Sequence, residues 1–142
     1  MDTRLQKPTH IMQIAVGLMA TLAGLDKFFN VLADWGSYVS PAAAQLLPFS
    51  TDALMRIVGV VEFAVGISIL GAWPVIGAYV ASAWLILVSM NLVVGGHFDV
   101  AVRDVVLSIA VFTLARLLQV RDEFAIREAD SDSAPMRHHL IA

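Results

Sequence analysis

A few polar side chains stand inside otherwise apolar stretches of this chain: Lys27, Glu62, Asn91, Arg103 and Asp104. Brought together they would form a proton-handling site. A carboxylate can accept or deliver a proton, an ammonium can stabilise negative charge developing on an oxygen, and an amide can orient a ligand. Ionisable groups inside an apolar helix are costly and are functional candidates by default. A structural alternative stands beside this one. Lys27 with Glu62, Asp26 or Asp104 is equally explained as an ion pair that sets helix register. Asn91 has the ordinary explanation of an interhelical hydrogen bond.

Asp26, His97 and Asp99 are peripheral candidates. Asp26 lies about 100° around a helix from Lys27, so the two cannot share one face equally. His97 sits in the turn "GGHFD", where a solvated histidine is expected and a proton relay is the sharper alternative. Asp99 reads as an N-cap, and Arg103, four residues on, as its local ion-pair partner.

Other chemistries lack their residues. The chain has no cysteine, which removes disulfides, cysteine-ligated zinc and iron–sulfur clusters from within it. No phosphate-cradling glycine loop or HExxH motif is present. His10 and His97 fall at opposite ends of the apolar region, so bis-histidine haem is not expected, and neither is a metal site. A net charge of −3 without a Lys/Arg run gives no footprint for nucleic acid.

The elements that must position these groups are apolar. Of 142 residues, 58% are hydrophobic and 15% charged, with mean hydropathy +0.77. A soluble domain would be roughly one-quarter charged, so the composition points to a membrane protein. Apolar segments at 11–32, 54–71, 75–94 and 100–120 each approach the roughly 20 helical residues that cross a bilayer. None alternates with period two, which argues against a β-barrel. The fold class expected is all-α, a bundle of four transmembrane helices. A short N-tail, 1–10, precedes the 11–120 membrane domain. The tail, 121–142, is polar and expected to be partly disordered after one or two helical turns.

The connections differ in kind. Residues 33–53 form one long loop whose "SPAAAQLLP" centre suits a short surface helix. Ser50 or Thr51 is placed to cap the second span. "GAWP" and "GGHFD" are tight turns. Arg4, Lys7, Arg121, Arg127 and Arg137 share one side, whereas the other has only Arg56 and Arg103. The positive-inside rule then puts both termini in the cytoplasm and the long loop outside.

Small and polar residues recur at helical spacing. The stripes are Gln13–Gly17–Thr21 (or Ala20)–Gly24–Lys27, then Gly59–Glu62–Gly66, then Gly77–Ala81–Trp84–Val88–Asn91–Gly95, and finally Asp104–Ser108–Val111–Ala115. Small residues let membrane helices approach closely, so these faces should meet inside the bundle. Lys27 is expected about 8 Å, and Glu62 about 12 Å, below the outer ends of their spans. The expectation is one polar cluster in the outer half, open toward the outer face. Trp73, Trp84 and the phenylalanines read as packing or interfacial anchors.

With these features placed, the chain resembles the DoxX/DoxD-like family of small four-helix membrane proteins over roughly Ile11 to Gln119. The marks are "GLMATLAGLDKFF", "GVVEFAVGISIL" and "FDVAVRDVVLSIA", which carry Lys27, Glu62, and Arg103 with Asp104. The resemblance implies a multi-pass protein of the bacterial inner membrane. Family members include the membrane subunit of a thiosulfate:quinone oxidoreductase, which makes quinone the possible cofactor. The long first loop looks typical of an uncharacterised bacterial subgroup. The functional expectation is a membrane subunit of a respiratory or redox-linked complex, with an outward pocket for a quinone headgroup or small ligand. The alternatives are a non-catalytic accessory subunit or assembly factor, with a membrane-protein partner or a second copy, and a small transporter subunit.

Overall fold

The computed structural model describes residues 3–46, 48 and 50–139, with side chains placed for 4–46, 48 and 50–131. The described residues are helical, with no strand. Helix α1 covers Thr3–Asp26, α2 Pro41–Leu46, α3 Thr51–Leu70, α4 Pro74–Val94 and α5 Phe98–His139, and a 3-10 turn at Trp35–Tyr38 precedes α2. α1, α3 and α4 are long and apolar enough to cross a membrane. α5 falls short of the same measure, because its apolar run Val105–Ala115 is bracketed by Arg103, Asp104 and Arg116.

Local chemistry explains the helix ends. Ser50 caps α3, its hydroxyl accepting the Ala53 N–H at 3.2 Å, and Gly71 closes that helix on the Ile67 carbonyl. Ser40 does the same for α2 through the Ala43 N–H, with Pro41 in the first helical position, where no N–H is missed. Pro74 opens α4 likewise. α5 starts at Phe98, so Asp99 lies inside its first turn rather than capping it from outside. The helix then continues well beyond Val120, where one or two turns were expected. Side-chain pairs such as Gln119 with Glu123 run along its exposed stretch.

α1 ends earlier than the apolar pattern suggests, at Asp26 rather than near Leu32. The Asp26 carboxylate accepts the N–H groups of Val31 and Leu32, each at 2.9 Å. Asn30 takes a left-handed conformation, φ 51°, and the chain folds back over the helix end. Lys27 is therefore the first residue past α1, not a residue one-third of the way down a span.

The long helices contact one another in the cycle α1–α3–α4–α5–α1. α1 crosses α3 on glycines. A Cβ on Gly24 would fall 2.5 Å from the Phe63 nitrogen and 2.6 Å from the Gly59 oxygen, and one on Gly66 would fall 2.5 Å from the Thr21 nitrogen. α4 and α5 are joined by hydroxyls: Ser82 with Ser108, and Ser89 with the Ala101 carbonyl at 3.0 Å. A close-packed core of Ile69, Ala78, Val111, Leu114 and Leu118 fills the space between helices toward the end away from the 27–50 loop. The stripes expected from helical spacing face inward as predicted, whereas Leu22, Val60, Ile76 and Ile109 stand exposed on the outer faces.

Candidate functional site

α1, α3, α4, α5 and the loop between α1 and α3 surround a partly open cavity of about 780 Å³. Lys27, Glu62, Asn91, Arg103 and Asp104 all line it, so the groups singled out by sequence meet around one space. The lining runs over Val16–Lys27, over Leu54–Val65 on α3 and over Val100–Val111 on α5, each about 16 Å at helical rise.

The centre of the site is an ion pair. Lys27 Nζ donates to Glu62 Oε2 at 2.5 Å, with the two side chains 5% and 15% exposed. Two indoles complete it. The Lys27 ammonium lies 3.8 Å from the centroid of the Trp35 ring, a cation–π contact of about 0.5–2 kcal/mol. Trp84 Nε1 donates to the other carboxylate oxygen, Glu62 Oε1, at 3.3 Å. The geometry follows from the glycine crossing. Only with α1 and α3 this close can a side chain just past the end of α1 reach one about three turns inside α3.

Asp104 enters from α5. It is buried, and its hydrogen-bond partner is the neighbouring Arg103, Nε to Oδ1 at 3.2 Å. The Arg103 side chain itself is 63% exposed. The local pair is therefore Arg103 with Asp104, not with Asp99 as the i,i+4 spacing suggested. Asp99 is exposed and does not line the cavity.

Asn91 serves as a tie. Its Nδ2 donates to the Tyr38 carbonyl at 2.8 Å, and its Oδ1 accepts the Ser40 N–H at 3.1 Å. Both ends of the amide are thus committed to the loop, where an interhelical bond was expected. His97 does related work: its Nε2 lies 3.2 Å from the Ser37 carbonyl, and its ring meets Tyr38 edge-on. Asp26 holds the loop from below, through Val31, Leu32 and the Trp35 Nε1 at 2.7 Å. These ties lay Trp35–Leu46 across the cavity as a roof. The loop therefore lies over that end of the cavity. Beyond Glu62, toward the roof, lie Leu54, Met55 and Val58 of α3 and Leu87 and Val88 of α4.

The opposite end is closed. Gln13 Nε2 donates to the Ile69 carbonyl at 2.7 Å, and Arg121 donates to the Gln13 oxygen at 3.3 Å. Gln13 thereby satisfies one of the carbonyls that the end of α3 leaves without a helical partner.

Sequence reasoning missed both tryptophans. Trp84 carried a usable signal, since it stands on the small-residue stripe of α4, facing inward rather than toward an interface. Trp35 carried none, because its placement depends on how Asp26 folds the loop back. No protein-family model, curated protein or solved structure matches the chain.

Proposed function

We propose that this chain is a DoxX-like protein of the bacterial inner membrane. In this view it has four spans and cytoplasmic termini, and it serves as the membrane subunit of a redox-linked complex. Its cavity takes a quinone headgroup or a small ligand of similar chemistry. The observation that carries the proposal is the ion pair Lys27–Glu62, set between two indoles on the wall of a mostly apolar cavity. Ligand sites commonly measure about 300–1,000 Å³ and combine apolar walls with a few convergent polar groups. For the fourth span, the support is the packing of α5 against α4 and its apolar run Val105–Ala115, whose flanking charges belong partly to the cavity.

The donor set fits a quinone. Lys27 would donate a hydrogen bond to a ring oxygen, and Glu62 and Asp104, lining the same space, would accept protons. Such a group, when bound, supplies two-electron, two-proton chemistry at its ring oxygens. The Lys27 ammonium would stabilise negative charge gained by such an oxygen. Glu62, already bonded to Lys27, can give or take a proton as that charge changes. Trp35 fixes the ammonium, Trp84 fixes the carboxylate, and the apolar walls keep bulk water from the pair, which strengthens their interaction.

The test is extraction of quinones from the protein purified out of its native membrane, with membrane redox activity measured in parallel. Lys27→Met and Glu62→Gln should each lower bound quinone and activity; unchanged values for both variants reject the reading.

A specific observation favours a second reading, that of a non-catalytic accessory subunit. Among the described residues no buried side-chain polar atom lacks a partner, so the cluster satisfies itself. A stoichiometric partner retained in mild detergent, with nothing bound in the cavity, would favour that reading. The closed Gln13–Ile69–Arg121 end counts against a through-path for a transporter.

A further inference from the structure

Named contacts hold the surroundings of the cavity together at several points. The roof is held at separate points by Asn91, His97 and Asp26. The far end is closed by Gln13, Ile69 and Arg121 above a close-packed core. The α1–α3 wall is sealed by the backbone approach at Gly24 and Gly66. The α4–α5 wall is sealed by Ser82–Ser108 and Ser89–Ala101. At the level of the cavity, α3 and α4 are bridged by Trp84 on Glu62. The seam between α1 and α5 is different. It is the weakest of the contacts around the cycle, and the Gln13–Arg121 hydrogen bond across it lies at the closed end. Toward the roof, α1 offers Ala20 and Ala23 and α5 offers Arg103 and Leu107, all on the cavity wall.

Charge narrows the occupant. Lys27 balances Glu62, and Arg103 balances Asp104. A charged ligand would have to break one of these pairs in a low-dielectric space, leaving an uncompensated buried charge.

From these observations we infer that the cavity is loaded sideways from the bilayer, through the seam between α1 and α5. The occupant is an uncharged, lipid-soluble amphiphile that enters polar end first, with its apolar part trailing into the seam. The inference rests on the cavity being a ligand site and adds the route and the ligand class. Arg103, exposed at the seam and bonded to buried Asp104, marks its rim.

The test uses the full chain in lipid vesicles and follows quenching of tryptophan fluorescence by a decyl-substituted benzoquinone. The chain has no cysteine, so Leu107→Cys provides a unique handle in the seam. Labelling it with a bulky benzyl methanethiosulfonate should slow loading about tenfold or more, and reductant should restore it. The unlabelled variant controls for folding. His97→Ala, which loosens the roof, should leave the loading rate unchanged. Loading that is unaffected by the seam label but faster in His97→Ala would overturn the route and place the door in the roof. Equal binding of tail-less benzoquinone would overturn the amphiphile assignment, as would equal binding of a fatty acid carboxylate. Absence of binding by every probe to the unmodified protein would reject the ligand site itself, a different failure from that of the route.

Discussion

Lys27 and Glu62 are the residues on which the site turns, and their pairing makes a distinctive prediction. Removing one partner leaves a buried charge, which costs about 3–5 kcal/mol, whereas replacing both with apolar groups of similar size is often near neutral. Lys27→Met alone should therefore lower the unfolding midpoint in detergent more than Lys27→Met combined with Glu62→Leu. A double variant as unstable as the sum of the singles would show that the pair does not act as a unit. Asp26 makes a second prediction. It accepts N–H groups from Val31 and Leu32 and the Trp35 indole, and hydrogen bonds to a charged group contribute about 1.5–3 kcal/mol each. Asp26→Ala should raise amide exchange across Val31–Trp35 by mass spectrometry, while the middle of α1 keeps its protection. Asn91→Ala should do the same at Ser40, whose N–H it holds.

At the scale of elements, the α1–α3 crossing decides whether the ion pair can exist. The backbones meet at Gly24, Gly59 and Gly66, and overfilling such a contact costs about 1–3 kcal/mol or more. Gly66→Val should lower stability and separate the helices enough to weaken Lys27–Glu62. Gly36→Ala should do little, since a Cβ there meets its nearest neighbours at 3.5 Å, ordinary contact. Thermal unfolding of the two variants side by side checks this. The helix stripes were legible in the sequence because close packing requires small side chains at a repeating spacing, and those residues do face inward. The end of α1 was not. Hydropathy continues through Phe28, Phe29, Val31 and Leu32, and nothing in that run announces that a carboxylate at Asp26 will take the following amides and turn the chain.

At the scale of the whole molecule, the apolar outer faces and the three helices of spanning length make a membrane the natural surroundings. The proposed four-span arrangement predicts sidedness. With Lys7→Cys, Ser37→Cys and Ser131→Cys introduced singly, an impermeant maleimide added to intact cells should label only Ser37→Cys. The other two should react only after the membrane is opened. Labelling of Ser131→Cys from outside would show that α5 does not cross.

The sequence by itself determined the helical class, the inward stripes and the polar residues that would share a space. It could do so because helical periodicity and the cost of charge in an apolar setting act locally, at every position. Only the tertiary structure decided what those residues do to one another. It made Asn91 and His97 ties for a roof, brought Trp35 and Trp84 onto the ion pair, and laid the loop over one end of the cavity. Those outcomes depend on a loop whose path is set by contacts more than fifty residues apart in the chain, such as Tyr38 with Asn91. No local rule of spacing or hydropathy encodes such a contact.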